Sequence, residues 1–457
     1  MTAYEGTHEK IDTNKGNHED SHDGKQASNY EGKQASHYDG NHGSTHEGKQ
    51  ASHYDGNHGS THEDIQTLIK EGVAFIEPKV VEWRRYLHAH PELSGEEENT
   101  ALYIKQTLDT LGIPYNDQVF GHAVVACIDS GKPGKTVALR ADMDALPVKE
   151  QTGAAFASQH DGVMHACGHD SHMAIALGAA AVLNKVKNFL QGRVYIVFQP
   201  AEEEALINGA KNIMASGVLD EVDEIFGLHV WPGLPVGTVG VRDGAMMAAS
   251  DHFYVTITGK STHGAEPHNG IDAIVAAANW ITGIESIVAR ETDPMESIVV
   301  TVGTINGGDR YNVGCGKVTL EGTCRTFAPA KRDYIEARLA ESLQALDMLF
   351  HTTSELTYKR GHGATVNHAA SAQRLRKVAA SYGITAVTPE HPSMCAEDFS
   401  SYIAQKPGAF FWLGTGYEGC PALHNASFII DEIILKTGVT VMCGAAADVL
   451  LETKSAD

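Results

Sequence analysis

VYIVFQPAEEE, residues 194–204, couples a run of β-branched and aromatic side chains to an abrupt acidic stop. Apolar residues at successive positions, without polar alternation, describe a strand buried on both faces, and such strands belong to sheets covered by helices. The same pattern recurs on either side. Residues 124–128, 136–139, 224–228 and 410–413 read as further buried strands, whereas 65–87, 97–111, 173–186, 210–215 and 372–382 carry helical periodicity. Strands alternating with helices predict an α/β sheet.

The rhythm changes between Asp251 and Gly361. Strand-like 252–258, helix-like 271–290, strand-like 297–305 and 318–327, helix-like 334–350 and strand-like 355–359 give the order βαββαβ, the ferredoxin-like pattern. A unit of about 110 residues suits a small domain inserted into a larger one. The expected organisation is a main domain in two parts, 64–248 and 362–457, interrupted by an inserted domain at 249–361.

Residues 1–63 differ from everything after them. GKQASHYDGNHGSTHE at 32–47 is repeated without change at 48–63, and a shorter copy begins at Gly24. This stretch has almost no aliphatic residues, so it cannot bury enough surface to offset chain entropy and reads as a disordered, histidine-rich tail. Its nine histidines could bind divalent metal weakly.

The formal net charge of -23 disfavours nucleic acid or anionic lipid as partners, because the long-range phosphate term is repulsive. No apolar run reads as approaching the roughly 20 residues of a membrane span. The first ten residues have neither a basic leader nor an apolar core, and seven widely spread cysteines do not suggest a disulfide framework, so a cytoplasmic location is expected.

In open α/β sheets, ligands bind beyond the carboxyl ends of strands. Strand 136–139 runs into Arg140, Asp142 and Asp144; 194–198 into Gln199, Glu202, Glu203 and Glu204; 224–228 directly into His229. Cys167 and His169 add a thiol and an imidazole just before an apolar helix. Thiolate, imidazole and carboxylate converging from separate strand ends suit zinc and its neighbours. Of two adjacent glutamates, one can ligate metal while the other moves a proton, which is hydrolytic chemistry.

Eight stretches occur in order: 84–93 (RRYLHAHPEL), 140–147 (RADMDALP), 164–170 (MHACGHD), 199–203 (QPAEE), 227–232 (GLHVWP), 259–268 (GKSTHGAEPH), 396–399 (AEDF) and 423–425 (LHN). Together they resemble the N-acyl-amino-acid amidohydrolases, which include hippurate hydrolases and plant auxin-conjugate hydrolases, within the aminoacylase and carboxypeptidase group of metallopeptidases. The match runs from about residue 65 to the end. The resemblance implies a catalytic α/β domain with a central mixed sheet flanked by helices, and an inserted ferredoxin-like lid that mediates homodimerisation. It also implies two divalent ions per subunit, manganese or zinc first and cobalt or nickel next, held by Cys167, His169, Glu203, His229 and His424. Glu202 matches the general base and Asp144 a carboxylate that orients the site. His263 matches a lid histidine that polarises the scissile carbonyl, often from the partner subunit. Asn312 and Arg325 match lid positions near the substrate, where Arg325 could pair with a free carboxylate.

The implied reaction is hydrolysis of the amide bond of a small N-acyl amino acid. Related readings keep the metals and change the substrate, to a dipeptide, a carboxypeptidase substrate or an aromatic amine undergoing hydrolytic deamination. A catalytically silent protein that sequesters metal on its histidine-rich tail, and a Cys167 nucleophile beside His165 and His169, are readings of other classes. One departure bears on specificity: Asn312-Val313 is followed by Gly314-Cys315-Gly316, where the family has an apolar residue and proline. Acyl-group preference is therefore left open.

Overall fold

The structure, a computed structural model, describes residues 61–205 and 207–452. The tail expected over 1–63 lies outside the described residues as far as Ser60. Its last three residues begin the fold: Thr61 caps helix α1 (His62–Ala89), its hydroxyl accepting from Asp64 N at 3.2 Å while the Asp64 carboxylate accepts from Thr61 N at 3.0 Å. This reciprocal capping box needs the acid that follows the second repeat, and the first repeat is followed by Gly48 instead.

After α2 (Glu98–Thr110) come strands β1 (Tyr115–Asn116), β2 (Val124–Asp129) and β3 (Thr136–Asp142), helix α3 (His169–Val186), β4 (Arg193–Gln199), α4 (Gly209–Ala215), β5 (Glu224–Pro235), β6 (Val239–Gly240) and β7 (Gly244–Met247). Beyond the insertion, β14 (Thr365–Asn367), α7 (Ala369–Ser381), β15 (Ala386–Val387), α8 (Ser400–Ile403), β16 (Gly408–Gly416) and α9 (Ile433–Leu451) complete the main layer. The large sheet has the order β1-β2-β4-β3-β5-β16-β6-β15. Its centre, β4-β3-β5-β16, is parallel, whereas β2 and β6 join antiparallel, so the sheet is mixed. From β3 the chain passes to β4 on one side and then to β5 on the other, which makes the carboxyl end of β3 the switch point where a crevice opens.

The insertion contributes β8 (Ala249–Thr258), β9 (Thr262–His263), α5 (Ala273–Glu291), β10 (Val299–Gly307), β11 (Val313–Gly314), β12 (Lys317–Thr326), α6 (Pro329–Phe350) and β13 (Thr353–Arg360). Four of these strands form an antiparallel sheet in the order β10-β12-β8-β13, the ferredoxin-like arrangement, with its own apolar core that includes Phe253, Trp280 and Leu339. β9 and β11 pair separately as a short ribbon.

Two sequence readings are corrected. His229 does not follow its strand but lies inside it, because β5 continues to Pro235 by pairing with β16, Trp412 opposite His229. Helix α9 has no counterpart among the elements expected from the sequence, and it is long and apolar enough to cross a membrane by length and composition, with a mean hydropathy of 1.6. In the fold 78% of its most apolar stretch is buried, packed against helices that include α1 and α3. Such a helix, apolar around most of its circumference with Lys436 and Asp448 turned outward to ion pairs, fits a core.

Helices α1, α3 and α9 are tied by a buried ion network. Arg84 donates from Nε to Asp170 at 2.7 Å and from Nη1 to Glu432 at 3.3 Å, and His88 bridges Asp170 (2.9 Å) and Glu150 (3.2 Å). Removing one member of a buried network strands the others, so Arg84→Met should destabilise the protein by about 3–5 kcal/mol. Urea unfolding measures this, and an unchanged midpoint would refute it.

Candidate metal centre and catalytic cleft

Gly168 sets the spacing of the thiol and the imidazole. It precedes α3 with φ +88°, and a Cβ there would lie 2.4 Å from Val230 Cγ2, so Cys167 and His169 are separated by a residue that must be glycine. His424 reaches the same place from residues 423–425, held by a hydrogen bond from its N–H to Ala166 O at 2.8 Å. Its φ of +63° is unusual for a side-chain-bearing residue, as is +54° at Ala201, just before Glu202. Each such conformation costs roughly 1–2 kcal/mol, and strain of this kind gathers at functional sites.

The five expected donors converge. Cys167 Sγ lies 3.3 Å from both His229 Nε2 and His424 Nε2. Glu203 Oε1 lies 3.3 Å from His424 Nε2 and 4.0 Å from His169 Nε2. The ring orientations suit ligation: His229 Nδ1 donates to Val230 O (2.7 Å) and His169 Nδ1 donates to Asp144 O (2.9 Å), so each Nε2 is turned toward the cluster. His169 Nε2, Glu203 Oε1 and the adjacent Asp144 Oδ1 are buried without hydrogen-bond partners. Unsatisfied buried polar atoms are costly, and a cation between His169 Nε2 and Glu203 Oε1 answers two of the three. The residues present therefore fit divalent metal. Two overlapping donor groups, Cys167–His169–His229 and Cys167–Glu203–His424, share the thiol.

Electrostatics agree with that fit. Burial, followed by Glu203 and Glu202, holds the Cys167 thiol well above its ordinary pKa. Burial disfavours a charge on His169, but Asp142, Asp144 and Glu203 outweigh it and raise this imidazole to about 10. Burial and then the neighbouring histidines His172 and His169 hold His229 well below the usual range. Glu202 is pushed well above the carboxylate range by burial and then by Glu397, Glu203 and Asp398. A bound cation must displace the protons on Cys167 and His169.

Several residues outside the predicted set complete the site. Asp142 accepts from His172 Nδ1 at 2.6 Å, and His172 Nε2 accepts from Val230 N at 3.0 Å, locking β3, α3 and β5 together. His172 stands three residues after His169, one helical turn along the same face, and that spacing was a legible signal. Arg140, fully buried, contacts Asp142 (2.7 Å), Glu397 (3.0 Å), Asp398 (2.7 Å) and Gln199 (2.8 Å).

These groups border a cleft of about 420 Å³. Cys167, Glu202, Glu203, His229 and His424 line it with Trp231, Met247 and Leu423, and the small sheet adds His252 and Arg325. Asp144 sits behind this wall, its Oδ2 accepting from Glu203 N (2.9 Å) and Ser94 Oγ (2.6 Å). The structure does not bring His263 or Asn312 into this cleft. They lie together on the exposed β9–β11 ribbon, where Gly264 N donates to Asn312 O and Ala265 N donates to His263 Nδ1.

The profile of peptidase family M20/M25/M40 matches residues 138–448. The chain belongs to the M20 peptidase family. Relatives of this M20 member include an N-acetyl-L-cysteine deacetylase of Bacillus subtilis (strain 168), 39% identical over 373 residues that span 81% of this chain and 88% of that protein. An N-acyl-L-amino acid amidohydrolase of Geobacillus stearothermophilus is 39% identical over 300 residues, 66% of this chain and 81% of the relative. The crystal structure of a dinuclear metal-binding M20 peptidase from Bacillus subtilis matches with a TM-score of 0.74 at 34% identity, covering 82% of this chain and 99% of that one. The dinuclear M20 relative and the donor set found here together support two divalent metal ions.

Chelation should lower the melting temperature of this M20 member, since a ligand at 1,000 times its dissociation constant stabilises by about 4 kcal/mol. Because Cys167 and His169 must lose protons, metal affinity should fall as pH falls and binding should release protons. Calorimetry in buffers of different ionisation enthalpy measures that release. Affinity independent of pH would remove the thiol from the ligand set.

Proposed function

We propose that this enzyme hydrolyses the amide bond of N-acyl amino acids, yielding a carboxylic acid and a free amino acid. The observation that carries the proposal is that two adjacent carboxylates at one donor cluster have different partners. Glu203 points to His424 within the donor cluster, whereas Glu202 faces a buried acidic neighbourhood and accepts from Asp398 N at 3.4 Å. The names of the deacetylase and amidohydrolase relatives support the same substrate class.

Cys167, His169, Glu203, His229 and His424 would hold the ions, with manganese or zinc as first choice and cobalt or nickel next. When bound, two divalent ions supply Lewis acidity and a lowered pKa for water. Glu202 takes the proton from the attacking water and returns it to the departing nitrogen, a task suited to a carboxyl whose proton affinity is raised. Asp144 orients the pair of glutamates through Glu203 N and supports His169. Arg325 binds the free carboxylate of the substrate. Only its Nη1 is engaged within the protein, by Thr323 Oγ1 and Cys324 O, among the described residues.

His263 and Asn312 lie outside the cleft of their own subunit, so they act on the substrate from a second copy, His263 polarising the carbonyl. A homodimer, with the βαββαβ insertion at 249–361 as lid, is thus part of the proposal. So is a reducing, cytoplasmic setting, supported by seven free thiols.

Glu202→Gln should retain metal and lose about 10²–10⁴-fold in kcat. Near-normal turnover in that variant would exclude Glu202 as the base. Cys167→Ala should lower the metal-to-protein ratio by elemental analysis. Arg325→Ala should raise KM more than it lowers kcat, and equal behaviour toward N-acyl amino acids and the corresponding amides lacking the carboxylate would refute its role. A panel of N-acetyl, N-benzoyl and long-acyl amino acids, with dipeptides alongside, tests the substrate class.

A further inference from the structure

Glu96, Glu97 and Glu98 are consecutive, yet only the middle one is buried, with 0% exposure. Glu97 occupies the cap position of α2 without capping it by its side chain. Glu92 serves the helix end instead, accepting from Asn99 N, Thr100 N and Thr100 Oγ1. The Glu97 carboxyl turns inward, where Oε1 accepts from Ala201 N at 2.8 Å and Oε2 has no hydrogen-bond partner. A carboxyl buried in this way is unfavourable for folding, and breaches of local rules gather at functional sites.

The group it holds gives the reason. Ala201 is a non-glycine residue with φ +54°, and Glu202 follows it directly. The next residue is gripped from the other side, Glu203 N donating to Asp144 at 2.9 Å. Residues 92–97 are themselves anchored beside β3, through Ala145 N donating to Glu92 O and the bridge between Leu93 and Ala145. The turn carrying both glutamates is thus clamped by two carboxyls attached near the end of one strand.

We propose that Glu97 is a positioning residue for hydrolysis: by accepting from Ala201 N, it holds the left-handed turn that aims Glu202 into the cleft. This rests on Glu202 being the base. The bond needs an acceptor oxygen rather than a charge, so an amide side chain can replace the carboxyl.

The test uses the full-length enzyme loaded with manganese and the N-acyl amino acid that it turns over best. Glu97→Ala should lower kcat by about 100-fold, the scale of a misplacement near 1 Å, with KM and metal content unchanged. Glu97→Gln should restore most of kcat. In a Glu202→Gln background, Glu97→Ala should cause no further loss, because both act through one group. Parental kcat in Glu97→Ala, or the same proportional loss in both backgrounds, overturns the proposal. Should the alanine variant not fold, Glu97→Met fills the volume without an acceptor and carries the same expectations. A crystal structure of the variant supplies a readout independent of turnover: Ala201 leaves positive φ if the clamp is real and keeps it if not. A parent inactive on every N-acyl amino acid would sink the substrate reading while leaving this structural result decisive for Glu97.

Discussion

One buried guanidinium joins the two parts of the chain that flank the insertion. Arg140, at the end of β3, lies within 3.0 Å of Asp142, Glu397 and Asp398, and the last two arrive more than 250 residues later. Carboxylates out of water repel one another strongly at low dielectric, and a single cation offsets that repulsion only in part. The remainder appears as proton affinity. Glu397 is raised to about 8, burial leading and Arg140 opposing, and Glu202 beside it is pushed higher than an ordinary carboxyl. The interaction that closes the fold therefore also creates the setting in which Glu202 holds a proton more tightly than an ordinary carboxyl.

Around that hub, backbone strain does the fine placement. His424 and Ala201 both adopt left-handed backbone, and Gly168 does so under a contact that no side chain would survive. Neighbouring groups supply the restraint: Ala166 O holds His424, Glu97 Oε1 holds Ala201, and Val230, inside β5, packs against Gly168. The sheet contributes rigidity and the loops contribute direction, which is why imidazoles separated widely in sequence end within hydrogen-bonding distance of one thiol.

Much of this was legible in the sequence for a local reason. Parallel strands buried on both faces announce themselves by unbroken apolar runs, and their carboxyl ends are where polar residues can gather without disturbing the core. Asp144, Glu202 and Glu203 are legible that way, whereas His229 lies inside its strand. The ferredoxin-like order was legible because period-2 and period-3.6 patterns alternate cleanly across 249–360. Helix α9 is hard to read because apolar residues surround most of it and leave little periodicity. His263 and Asn312 belong to the expected motifs, but they share a ribbon that stands outside the cleft, and no spacing in a sequence reports where a ribbon will stand relative to a cleft.

The sequence by itself determined the alternation of strands and helices and the inserted βαββαβ unit, because these depend on periodicity, while the donor set is implied by ordered motifs that resemble a family. Tertiary structure alone decided which of Glu96, Glu97 and Glu98 is buried, which nitrogen of each imidazole faces the cluster, and that Arg140 meets Asp398. Those outcomes depend on burial and charge summed over groups from distant parts of the chain, and no local window contains them.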